Sequence, residues 1–163
     1  AKETSTDLSW EEIKAQERKN KTKNSTPLKE VSVLDGIVWS LPSLSIATKL
    51  QHRASVIGFD WSEITPVINK ITEELNELEI EINSQVSQEK IEEEMGDLLF
   101  ACSNLARHLN LNPEIALRKA NRKFEQRFRK VEKLTNNSID GAKPNILDEM
   151  QTFWEQVKLE EKD

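Results

Sequence analysis

In the stretch EITPVINKITEELNELEIEINS, residues 63–84, the apolar side chains Ile64, Val67, Ile68, Ile71, Leu75, Leu78 and Ile82 recur at spacings of three and four. That is the period of one helix face, and it predicts a helix from just after Ser62 to about Ser84. Four further segments read the same way. One starts near Pro42, a good first-turn residue, and stops at Gly58, with Leu44, Ala47, Leu50, Ala54 and Ile57 on its stripe. Another covers about 88–110 through Ile91, Met95, Leu98, Leu99, Cys102, Leu105 and Leu109. A fourth opens on Asn112 as cap, with Pro113 in the first turn and Ala116, Ala120, Phe124, Phe128 and Val131 on its stripe. The last follows a loop holding Gly141 and Pro144 and carries Ile146, Leu147, Met150, Trp154 and Val157. No alternating strand pattern competes. The expected fold is all-α, a bundle of four to five helices with antiparallel neighbours joined by short loops.

Composition agrees. Four Gly and five Pro in 163 residues are about half the usual share, which argues against turn-rich β folds. The net charge of −6, with no basic arm, speaks against a nucleic-acid polymer as partner. The longest unbroken apolar run, 98–102, is far short of a membrane span, and residues 1–30 hold no apolar signal-peptide core. A single cysteine, Cys102, fits a reducing, cytoplasmic setting, and its place on a stripe predicts packing in the core. His52 and His108 sit among polar residues and read as surface positions. Residues 1–39 differ from the rest: Ser9 and Glu12 form a capping box for a short helix over 10–19, and the polar stretch 20–30 reads as a flexible linker. The compact domain is expected over 40–163.

Charge is segregated. Between Lys70 and Asp97 there are ten acids and two bases. At 100° per residue, Glu74, Glu77 and Glu81 lie within about 60° of one another, bordering the apolar stripe. On the next helix, Glu94 and Asp97 are three apart and share a face. If the two helices pack antiparallel, the two acid pairs can meet at one level. Carboxylates gathered in a small volume repel one another, and an all-oxygen set suits Mg²⁺ or Mn²⁺. Gly96, unfavourable inside a helix, hints at close approach of another backbone or of a ligand there. A plain solvated acidic face is the alternative.

The fourth helix has the opposite character, with eight bases and two acids between Arg118 and Lys133. Lys123 and Arg127, one turn apart, can face a common ligand. Acids holding divalent ions opposite a Lys/Arg row suit a polyphosphate, while ordinary pairing with acidic neighbours is the alternative. Trp154 reads either as core packing or as a platform for a base.

The acids in 73–77 (EELNE), followed sixteen residues later by Glu94-x-x-Asp97, resemble the E-E-x-x-E…E-x-x-D signature of the MazG-type nucleoside triphosphate pyrophosphohydrolases. KLQHR at 49–53 running into GFDW at 58–61, EEMGDLLF at 93–100 and ANRKFEQRF at 120–128 strengthen the resemblance, which spans about 40–160. It implies an all-α domain completed by homodimerisation. It also implies Mg²⁺-dependent hydrolysis of a nucleoside triphosphate, ribo or deoxy, to the monophosphate and pyrophosphate, in the control of nucleotide pools. By matching position, Glu74, Glu77, Glu94 and Asp97 are expected as metal ligands and Glu73 near the site. Lys90, Lys123 and Arg127 are expected to contact phosphates, and Trp154 to lie near the nucleotide. Glu73 or Glu74 is the candidate to orient the attacking water or take its proton. The chain, which opens on Ala1, is expected to be the C-terminal copy of a tandem protein. The rival functions are a non-catalytic helical dimerisation module and a nucleotide sensor that binds without turnover.

Overall fold

The structure, a computed structural model, describes residues 32–84, 87–135 and 146–161. It divides into two units, 1–37 and 38–163. The expected helix over 10–19 and linker over 20–30 lie outside the described residues. In the first unit the described residues form a turn at 32–36, in which the Ser32 backbone amide donates to the Asp35 carboxylate at 3.1 Å.

The second unit is all helical among its described residues: α1 (Ser43–Val56), α2 (Ile64–Asn83), α3 (Gln88–His108), α4 (Pro113–Leu134) and α5 (Ile146–Glu160). The boundaries follow local chemistry. Asn112 caps α4 by accepting a hydrogen bond from the Ile115 backbone amide at 3.1 Å, ahead of Pro113 in the first turn. Gly58, at φ +90°, ends the α1 region with a conformation that L side chains rarely adopt. α2 and α3 share the largest interface, α1 lies across α3, and among the described helices α5 packs on α4 alone. α4 reaches the rest of the unit through short contacts with α1 and α3.

Packing separates what the sequence merges into one stripe. On α2, Val67 and Leu78 are buried and Ile71 is half-buried. These three and Glu74 follow the i, i+4, i+7, i+11 line of a single helix face, and that line is the seam. Ile64, Ile68, Leu75 and Ile82, also expected on the stripe, form a second line that is exposed. On α3 the inner line is Ile91, Glu94, Leu98, Ala101 and Leu105, half-buried to buried. Met95, Leu99, Cys102 and Leu109 lie outside it and are exposed, so Cys102 is not a core residue. On α4, Phe124 and Phe128 are exposed and Val131 is buried.

One polar cluster ties the turn before α2 to the end of α3. Arg107 forks onto Asp60, Nη1 to Oδ2 at 2.9 Å and Nη2 to Oδ1 at 2.6 Å, and also donates to the Asn104 side chain at 2.8 and 3.0 Å. His108 Nε2 lies 3.0 Å from Asp60 Oδ1. Its side chain is 13% exposed, so the expectation of a surface histidine fails: the turn at 57–63 folds back and covers it. The Arg107 guanidinium holds the Asp60 carboxyl below its ordinary range, with His108 adding to the effect.

Candidate metal centre

Glu74 lies on the seam between α2 and α3, at a position where the repeat otherwise places apolar residues, and is 5% exposed. A carboxylate there is costly unless something of opposite charge meets it. It belongs to two groups at once. Its oxygens come within 4.8 Å of those of Glu73 and Glu77 on its own helix, and within 4.8 Å of those of Glu94 and Asp97 on α3. The helical spacing explains both sets: 73, 74 and 77 fall on adjacent rows of α2, and 94 and 97 on one row of α3. The α2–α3 hairpin brings the rows together.

The charges are unbalanced. Burial, then the negative charges of Glu77, Asp97, Glu93 and Glu74, push the Glu94 carboxyl above its ordinary range. The positive charge supplied from within the helix is Lys70, whose ammonium donates to Glu73 and, at 2.7 Å, to Glu74. Those two bonds, Glu73 first, raise the Lys70 ammonium above its usual range. Sequence reasoning did not single out Lys70. The signal was available, because 70, 73 and 74 stand at the i, i+3 and i, i+4 spacings of facing side chains.

The donor set fits a hard divalent cation. Oxygens about 2.0–2.6 Å from one ion lie at most about 4–5 Å apart, which is the spacing of these carboxylates. The structure offers two triads, Glu73–Glu74–Glu77 and Glu74–Glu94–Asp97, joined through Glu74. Glu81, which shares that face by spacing, belongs to neither group and lies one turn further along α2, where its charge acts on Lys90. A Cβ placed on Gly96 would meet nothing within 4 Å, so no close approach in the chain requires glycine there.

The basic residues fall in two places. Lys90, in the first turn of α3, is exposed and pairs with Glu93 at 3.1 Å; Glu81 and Glu94 act on it through charge. Lys123, Arg127 and Trp154 belong to the α4–α5 hairpin. There the Trp154 ring packs 5.3 Å from Phe124, and the Arg127 guanidinium lies 6.0 Å from the Trp154 centroid. Arg127 Nε donates to Glu161 at 2.8 Å. Among the described residues, no hydrogen bond or ion pair links Lys123, Arg127 or Trp154 to the five carboxylates. The acidic group lies on the α2–α3 hairpin and the basic-aromatic group on the α4–α5 hairpin.

Comparison with known proteins bears on both. Residues 63–132 match the MazG nucleotide pyrophosphohydrolase domain, a span that holds α2, α3 and most of α4. A nucleoside triphosphate pyrophosphohydrolase of Escherichia coli (strain K12) is 46% identical over 155 residues, 94% of this chain and 56% of that protein. The nucleoside triphosphate pyrophosphohydrolase/pyrophosphatase MazG of Thermotoga maritima is 41% identical over 149 residues, 91% of this chain and 54% of its own length. The YabN protein of Bacillus subtilis is 34% identical over 153 residues, 94% of this chain and 30% of that protein. The chain therefore spans about half the length of the first two relatives. With the five acids of the E-E-x-x-E…E-x-x-D pattern gathered on one helical hairpin inside the matched span, residues 63–132 are a domain of the MazG nucleotide pyrophosphohydrolase type.

Proposed function

We propose that the protein hydrolyses a nucleoside triphosphate, ribo or deoxy, to the monophosphate and pyrophosphate with Mg²⁺ or Mn²⁺, acting in the cytoplasm on the nucleotide pool. The observation that carries the reading is Glu74, a buried carboxylate shared by two acid groups whose charge a single lysine meets. The relatives' names supply the reaction class. The ligands are Glu74, Glu77, Glu94 and Asp97, and the cation they hold would neutralise phosphate charge and acidify the attacking water. Glu73 is exposed at the edge of the cluster, where it orients that water and takes its proton. The water oxygen bonds to the α-phosphorus, the bond from that phosphorus to the α–β bridging oxygen breaks, and pyrophosphate leaves with the electron pair. Lys90, Lys123 and Arg127 meet phosphate oxygens, and Trp154 lies beside the nucleotide.

The protein is proposed to act as a homodimer. The exposed line Ile64, Ile68, Leu75 and Ile82 on α2 and its counterpart Met95 and Leu99 on α3, with Leu109 just past the end of α3, give the proposed apolar ribbon on the helices that carry the carboxylates. A second copy covers such a ribbon at no cost in unpaired polar groups. The test is release of pyrophosphate from a panel of triphosphates with Mg²⁺. Asp97→Asn and Glu77→Gln should each lower turnover by about 10²-fold or more, with helicity unchanged. Full Mg²⁺-dependent activity in both variants would dismiss the site, and nucleotide binding without pyrophosphate would make the protein a sensor.

A further inference from the structure

Arg127 is held on two sides. Its side chain is 18% exposed, its guanidinium lies over Trp154, and its Nε donates to Glu161 Oε2 at 2.8 Å. Glu161 follows directly on α5 and is itself held at both oxygens, because Lys130, nearly one turn along α4 from Arg127, reaches Oε1 at 3.3 Å. Trp154 is wedged in turn against Phe124, which stacks on Phe128 at 5.7 Å. The contact to Glu161 uses one of the five guanidinium N–H groups and leaves the Nη edge, the pair that matches two phosphate oxygens, without a partner among the described residues.

We propose that Glu161 is a positioning residue for triphosphate binding: by taking Arg127 Nε it fixes the guanidinium plane over Trp154 and turns the Nη edge outward to phosphate. The proposal rests on the reading of Arg127 as a phosphate contact. Two physical points favour it over a purely structural pair. A single Nε contact adds less to stability than a two-point fork such as Arg107 on Asp60, whereas an unrestrained arginine must be ordered each time a ligand binds. A carboxylate that blocked the phosphate site would occupy the Nη edge, and this one sits on Nε.

Kinetics of pyrophosphate release with Mg²⁺ and the best triphosphate of the panel, with calorimetric affinity alongside, test it on the full chain. Glu161→Ala and Glu161→Gln should raise KM and Kd by about three- to tenfold, with kcat within about twofold of the parent and the thermal midpoint unmoved. Glu161→Asp should recover part of the loss. In an Arg127→Ala background, Glu161→Ala should add nothing further. If Arg127→Ala weakens binding while Glu161→Ala leaves it unchanged or improves it, the positioning role is wrong and the phosphate reading of Arg127 stands. If Arg127→Ala itself has no effect, that reading falls and the positioning role falls with it.

Discussion

Glu74 stands where the repeat of α2 asks for an apolar side chain, and Lys70 is what lets it stay there in the absence of a cation. Removing a partner from a buried carboxylate costs more than a surface ion pair is worth. Lys70→Met is therefore expected to lower the stability of the metal-free protein by about 1–3 kcal/mol in urea titrations. Mg²⁺ should restore part of that loss, because an ion bound only by the folded state stabilises it. Loss of stability that Mg²⁺ leaves unchanged would show that the ion does not take over from the ammonium. At this scale much was legible. The i, i+3 pairs on consecutive helices placed Glu74, Glu77, Glu94 and Asp97 together. What the spacing did not show was that Glu74 and Glu94 are on the inner lines of their helices, since a helical wheel carries no information about which of two neighbouring faces meets the partner helix.

Helix ends were legible because they depend on local chemistry, as at Asn112–Pro113 and Gly58. The ties between elements were not. Asp60 and Arg107 are 47 positions apart and nothing in the sequence pairs them. Charge-assisted forks are among the stronger hydrogen bonds, so Arg107→Ala should cost about 1.5–3 kcal/mol in denaturant unfolding and release the turn at 57–63 from α3. The same pair makes an acid-side prediction. Arg107 holds the folded Asp60 carboxyl below its ordinary value, so its contribution is present above that ordinary value and lost as pH falls through the lower folded one. Stability of the parent should drop more steeply in that acid range than stability of Asp60→Asn, with thermal melts as the readout.

Across the whole molecule, the apolar pattern on α2 and α3 was broader than one seam needs, and the structure divides it into a buried line and an exposed one. A single chain's sequence does not say which part of a stripe faces inward and which awaits a neighbour, so the expected core was too large and included Leu75, Leu99 and Cys102. The proposed homodimer gives the exposed line its purpose. Leu75→Glu with Leu99→Glu should leave helix content intact and shift the protein to monomer in sedimentation equilibrium, with turnover falling if the second copy supports the site. An unchanged mass would refute pairing through this ribbon.

The α2–α3 ribbon has one more implication. If the proposed homodimer forms, a freshly made chain that has not met its mate shows water an oily strip on the helices that carry its acids. Crowding by unpaired copies would then invite clumping, while extreme dilution would pull mated copies apart, giving the working abundance both a ceiling and a floor.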